Sequence, residues 1–295
     1  MPSTRDIRRR IKSVKNTAQI TKAMQMVAAS KMRKAQQAAL AGRPYAALMN
    51  QVLLQVSAQT RDTNHPLMQS REVNKRCVIL VSTDKGLCGS LNSNLMREAA
   101  KFERDTLFIT AGRKASQFIA RTRRPLAAEF TYKDTPAFPE ARAISKFACE
   151  MFSKGEVDSV DILYTQFIST LNQKAEIYTL LPIRQIKPFQ VGIGAAHRAL
   201  SPPVATNALG GEFLFEPDQE QVLSALLPHS LNFQVYHILL EAKASEHSAR
   251  MVAMKNATDN ALQFIKDLTL EYNKLRQANI TKELLEISSA AMAMG

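Results

Sequence analysis

The sequence predicts an α/β sheet domain joined to a long antiparallel coiled coil, the N- and C-terminal helices pairing into a rod with the sheet domain at its base. Three observations predict it. Between Pro228 and Gly295 there is neither proline nor glycine. Across that stretch Phe233, His237, Leu240, Ala244, His247, Met251, Met254, Thr258, Ala261, Ile265, Leu268, Tyr272 and Leu275 recur at alternating four- and three-residue steps, the mark of a heptad seam. A second seam lies near the other end of the chain, and strand-like and helix-like segments alternate between the two. At about 1.5 Å per residue, some 63 residues of helix make a rod on the order of 95 Å long, too long to hide inside a compact domain.

The first helix is expected to start near Thr4, because Ser3 followed by Asp6 is a capping-box signal. Ile7, Ile11, Val14, Ala18, Ala28, Met32, Ala35 and Ala39 keep the four-three alternation, with Thr21 and Gln25 as polar interruptions. Gly42 and Pro44 predict a kink rather than an end, since Tyr45–Ala58 resumes the helical pattern. Residues 1–60 therefore read as an N-terminal coiled-coil helix and the polar stretch Arg61–Asn74 as a connector. Residues 75–218 read as the α/β domain, with strands over Cys77–Ser82, Thr106–Thr110, Ser159–Phe167 and Ala175–Leu181. Helices are expected over Ser90–Phe102, Arg113–Ala120 and Ala141–Phe152. Residues 188–211, rich in proline and glycine, read as a loop, and Glu212–Phe215 as a short strand. Gln219–Leu227 reads as a helix leading into the rod, so that 219–295 forms the C-terminal coiled-coil element.

Two solitary seams separated by a domain most simply bury each other in antiparallel fashion. Beyond Leu275 the seam positions become Asn279 and Lys282, while an apolar stripe reappears out of phase at Ile280, Leu284, Ile287, Ala291 and Met294. The pairing should therefore stop near Leu275, leaving the last turns as a lone helix that wants a sleeve. Ile20, Met24 and Val27 form a further apolar stripe beside the first seam. Soft methionine and small alanine suit a surface that must fit several arrangements of a neighbour; the plainer reading is that they widen the core face.

Composition narrows the function classes. The net charge of +13 is uneven: residues 1–60 hold eleven basic side chains against Asp6 alone, so their partner should be acidic. No apolar run approaches the roughly 18 residues of a membrane span. Arg5, Arg8, Arg9 and Arg10 interrupt any signal-peptide core. Cys77, Cys88 and Cys149 have no metal spacing and read as reduced thiols.

Catalytic chemistry is sparse. The turn Asp84-Lys85-Gly86-Leu87-Cys88-Gly89-Ser90 lies between strand and helix, where glycine-rich loops cradle phosphate, but matches neither common nucleotide fingerprint. Its resemblance to a nucleophile elbow would make Cys88 the nucleophile, without an obvious histidine partner. Glu246-His247-Ser248 is triad-like only on paper, because consecutive helical residues point about 100° apart. No catalytic, cofactor-binding or metal-binding residue is assigned and no cofactor is expected. Two other classes stay open: a basic coiled-coil nucleic-acid-binding protein and a cysteine-dependent α/β enzyme.

Longer motifs carry a resemblance. Arg8–Thr17, Ile20–Met24 and Met26–Met32, the loop Asp84–Asn92, and the helical segments Ser245–Asn260 and Arg276–Ile287 resemble the gamma subunit of F-type ATP synthases, bacterial type, in order along the whole chain. Ala290-Ala291 stands where that family usually has Gly-Ala, which stiffens the tip. The resemblance implies a non-catalytic central-stalk rotor that couples proton flow through a membrane c-ring to ATP synthesis or hydrolysis at the beta subunits. The implied partners are the alpha and beta subunits of the catalytic ring, the epsilon subunit and the c-ring, with neither nucleic acid nor direct membrane insertion. The implied location is the cytoplasmic face of the bacterial inner membrane, as a peripheral membrane protein. Implied partner contacts are Arg9, Lys22, Arg33, Arg250 and Lys255 to acidic beta loops. Met24 would sit at the bearing or lever, and Arg276, Gln277, Thr281 and Glu283 would make polar catch contacts.

Overall fold

The computed structural model describes residues 3–59, 65–69, 71–183, 216 and 218–294. The loop expected over 188–211, the strand expected over 212–215 and part of the connector lie outside the described residues. The fold class is the one the sequence predicts, an α/β sheet body with antiparallel pairing of the N- and C-terminal helices.

Helix α1 (Thr4–Ala41) opens with the reciprocal cap that Ser3 and Asp6 announce. Ser3 Oγ accepts from the Asp6 backbone N–H at 3.2 Å, and Asp6 Oδ2 accepts from the Ser3 N–H at 3.3 Å. The Ser3 hydroxyl, 2.8 Å from Asp6 Oδ2, and then the Ser3 N–H hold the Asp6 carboxyl below its usual range. The chain breaks at Gly42, whose missing Cβ would meet the Phe233 ring at 3.4 Å. It resumes as α2 (Arg43–Gln59), with Pro44 in the first turn, where a missing N–H leaves no helical bond unmade. At the other end α6 (Gln219–Met294) is one unbroken helix that runs through Pro228.

The described chain falls into two compact units, residues 28–250 and residues 1–27 with 251–295. The larger holds a five-stranded sheet in the order β3-β2-β1-β4-β5. Its strands are β1 (Arg76–Val81), β2 (Leu107–Ala111), β3 (Leu126–Phe130), β4 (Ser159–Phe167) and β5 (Gln173–Leu181). The first four are parallel and β5 runs antiparallel to β4. Helices α3 (Leu91–Ala100), α4 (Arg113–Thr122) and α5 (Phe138–Ser153) complete the body.

Alternate residues of β1 point to opposite faces. Val78 and Leu80 pack with Leu95 and Ala99 of α3 and Ala115 and Ile119 of α4. Cys77, Ile79 and Val81 pack with Ile144, Ala148 and Phe152 of α5, and with both terminal helices. Met49, Leu53 and Val56 of α2 and Leu227, Leu231 and Leu239 of α6 belong to that core. Between β2 and α4, Gly112 adopts φ +105°, and a Cβ there would stand 2.3 Å from the Ser82 carbonyl oxygen, so only glycine fits. Strand β3 (LAAEF) has no counterpart in the sequence reading, because alanine and glutamate are poor strand formers. Pairing with β2 makes it a strand.

The smaller unit pairs the start of α1 with α6 beyond Met251. Arg8 donates to the Tyr272 hydroxyl, its guanidinium 5.4 Å from that ring's centroid, and the Thr21 and Thr258 hydroxyls meet at 2.7 Å. Moving thirteen residues forward on one helix moves fourteen back on the other, which is an antiparallel register. Every seam position of the unit, from Ile7 to Gln25 and from Met251 to Leu275, is buried or half-buried.

The expectation of a peripheral membrane protein is corrected. No helix among the described residues is long and apolar enough to cross a membrane. The heptad positions of the paired helices are taken up by helix pairing, and the apolar side chains left open, such as Ile20 and Val27, lie among charged and polar neighbours.

Candidate functional site

The surface left open to a partner includes the outside of the paired helices and the helix that outlasts the pairing. The register sets the first turn of α1 opposite Leu275, and among the described residues no other helix pairs with α6 beyond that point. From Arg276 to Met292 every residue is exposed, with Ile280, Leu284, Leu285 and Ile287 between 48% and 66% open. Helix persists there without tertiary support because the segment is rich in good helix formers and carries an i,i+4 ion pair, Lys282–Glu286, at 3.6 Å.

The flanking stripe on α1 is also open surface. Ile20 is 61% exposed, Met26 60% and Val27 55%, while Met24 between them is half-buried. Ile20, Met26 and Val27 therefore do not widen the seam, whereas Met24 lies against its edge.

Arg9, Lys22, Arg33 and Lys255 are exposed, as are Arg276, Gln277, Thr281 and Glu283. Among them the structure brings together Thr281 and Gln277, one turn apart, the Thr281 hydroxyl donating to the Gln277 carbonyl at 2.9 Å. Arg250 is different. Its guanidinium donates to Glu246 Oε1 at 2.8 Å and to the carbonyl of Gly86 at 3.2 Å, and its side chain is only 12% exposed. It is anchored in its own chain.

That anchoring explains the loop after β1. Thr83 donates to the Lys85 carbonyl at 2.7 Å, Asp84 accepts from the Arg113 N–H at the start of α4 at 3.0 Å, and Arg250 takes the outward carbonyls. Cys88 is buried and its sulfur accepts from Asn92 Nδ2 at 3.2 Å. Burial pushes this thiol up, so the proton stays on and no thiolate nucleophile is poised. The Glu246-His247-Ser248 run has three separate tasks: Glu246 binds Lys243 and Arg250, His247 Nδ1 faces Arg250 at 3.4 Å, and Ser248 donates to the Thr170 carbonyl. No relay joins them.

Sequence reasoning missed the buried polar residues of α6. Glu241, Lys243, Ser245, Glu246 and Ser248 are all under 4% exposed. A signal was present: the run Glu-Ala-Lys-Ala-Ser-Glu-His-Ser puts polar groups on every face of a helix that elsewhere keeps one apolar stripe.

Comparison with known proteins covers the whole chain. The sequence model of the family described as ATP synthase matches residues 3–294. The ATP synthase gamma chain of Opitutus terrae is 52% identical over 297 residues, covering 99% of each chain. That of Methylacidiphilum infernorum is 46% identical over 301 residues and covers both chains fully. Among solved structures, a chain of the Tetrahymena thermophila mitochondrial ATP synthase central stalk and c-ring matches with a TM-score of 0.58 at 25% identity. That match covers 81% of this chain and 99% of the other. A chain of the Euglena gracilis mitochondrial ATP synthase, covering 99% of this chain and 94% of its own length, shares the fold with a TM-score of 0.63 at 20% identity. With its seams, its lone helical end and its full-length relatives in agreement, this chain belongs to the ATP synthase family, among the gamma chains.

Proposed function

We propose that the chain is the central-stalk rotor subunit of an F-type ATP synthase, a non-catalytic shaft that couples proton flow through a c-ring to ATP synthesis or hydrolysis on the beta subunits. One observation carries the reading: two seams pair antiparallel, and one helix continues past the pairing with an open apolar stripe, in a chain that gamma chains match from end to end. A shaft needs an outer surface that differs around its circumference, so that each beta subunit meets a different face as it turns. Two helices followed by one supply that asymmetry.

Arg9, Lys22, Arg33 and Lys255 are the cations that meet acidic loops of the ring, and Arg250, 12% exposed, adds its positive charge from an anchored position. Met24 with Ile20 and Val27 forms the rubbing surface. Arg276, Gln277, Thr281 and Glu283 form the polar catch on the lone helix. Screened contacts of exposed charges are weak enough to break and remake at each step, whereas a large dry interface would lock. The foot partners are the c-ring and an epsilon subunit, on the cytoplasmic side of a bacterial inner membrane.

Purification of the native chain under mild conditions tests the reading. It should co-elute with a ring of ATP-hydrolysing subunits, and complexes rebuilt without it should hydrolyse ATP without pumping protons. Elution free of any such ring would overturn it.

A further inference from the structure

Between positions 241 and 250, α6 bonds outward on two opposite sides. Glu241, 2% exposed, accepts the N–H of Phe167 at 3.2 Å. Ser245 donates to the Thr165 carbonyl at 2.9 Å and Ser248 to the Thr170 carbonyl at 2.8 Å. These three lie on one stripe, at i, i+4 and i+7. On the other side Lys243, 1% exposed, donates to Glu246 at 3.0 Å and lies 4.5 Å from the Tyr132 ring centroid and 4.0 Å from Asp134. Asp134 also binds Lys31 of α1 at 2.5 Å, and Arg250 closes the row on Lys85 and Gly86.

The location gives this network its meaning. The chain leaves β1 toward β2 on one side, while β4 lies on the other, so the sheet order reverses between β1 and β4. In open parallel sheets the crevice beyond the carboxyl ends of such strands is where ligands bind. Here Lys85 and Gly86 follow β1, Thr165 and Phe167 close β4, and all four bond to α6. The chain's own helix fills the ligand crevice.

We propose that residues 241–250 are a polar clutch that makes the sheet body and α6 turn as one, with Glu241, Ser245 and Ser248 as positioning residues; this rests on the rotor function above. An apolar seam is non-directional and can creep under torque. A slip of α6 by one residue, about 1.5 Å and 100°, would leave the buried Glu241, Lys243 and Ser245 without partners. Directional bonds on opposite sides of one helix therefore resist rotation where hydrophobic contacts alone do not.

The test is the reconstituted membrane complex carrying Ser245→Ala with Ser248→Ala. ATP hydrolysis without load should stay within about twofold of the unaltered complex, while proton pumping against a steep opposing gradient falls by about fivefold or more, the low end for two lost hydrogen bonds. Glu241→Gln, which keeps an acceptor for the Phe167 N–H, should pump normally. Pumping under load that falls no more than unloaded hydrolysis would overturn the clutch. Should the double variant fail to assemble, Ser248→Ala alone is read in the same way. If the unaltered complex itself does not pump, the rotor function fails, not the clutch.

Discussion

Two stretches of α6 invert the usual relation between residue type and burial. Positions 237–248 are all buried, although they include Glu241, Lys243, Glu246 and His247. Positions 276–292 are all exposed, although they include Ile280, Leu284, Leu285 and Ile287. The first stretch tolerates burial because most of its polar groups have been given partners. The second carries apolar surface that none of the described residues covers, as a helix made to meet another protein would. Hydropathy alone would have exchanged the two.

The largest test of this contrast substitutes the same residue type in both. Leu239→Ala, at a fully buried position, should cost roughly 2–5 kcal/mol in urea unfolding of the purified chain, whereas Leu284→Ala should change stability by less than about 0.5 kcal/mol. Equal costs would mean that the exposed end is packed in the free chain.

His247 sharpens the contrast through pH. Burial, opposed by the Glu246 and Asp134 carboxylates and helped by the Arg250 and Lys243 cations, holds its imidazole down to about 4. The unfolded chain takes up this proton as pH falls through about 6.5, while the folded chain takes it up only near 4. Stability from the neutral ring is therefore complete above the higher value and is lost as pH drops between the two, by about 3 kcal/mol in all and about 2 kcal/mol by pH 5. Urea midpoints at neutral pH and near pH 5 should show the loss, and His247→Gln should flatten it.

The paired stretch lies between the extremes. The Thr258 hydroxyl lies 2.8 Å from the Met254 carbonyl and the Thr21 hydroxyl 3.1 Å from the Ala18 carbonyl, and across the pair one of the two donates to the other at 2.7 Å. Removing that bond should cost about 1 kcal/mol, measured as the coupling in a Thr21→Ala, Thr258→Ala double-mutant cycle. A coupling indistinguishable from zero would leave the seam with apolar contacts alone at this level.

The smallest effect on folding is expected from Met24→Lys. The side chain lies beside the seam, so the unfolding midpoint should barely move, while ATP-driven proton pumping in the assembled complex should fall well below the unaltered rate. Normal pumping would remove Met24 from the rubbing surface.

Much of this was legible in the residues, for physical reasons that can be named. The four-three spacing is a property of helical geometry itself, so the seam from Phe233 to Leu275 could be read before any partner was known, and every one of those positions is at least half-buried. The Ser3–Asp6 cap is a local bond within one turn and was equally readable. Strand β3 was not, because its residues have little strand preference and depend on β2 for their hydrogen bonds. The anchoring of Arg250 was not legible, since nothing local shows that the carbonyls of Lys85 and Gly86, more than 160 positions away, lie within its reach.

The sequence by itself determined the two helices, where their shared seam runs out, and the strand–helix alternation between them, because each follows from periodicity or from contacts a few residues apart. Only the tertiary structure decided which polar residues are buried and what they hold. Hydrogen bonds and ion pairs are short-ranged and directional, and their partners here come from β4, from the loop after β1 and from α1.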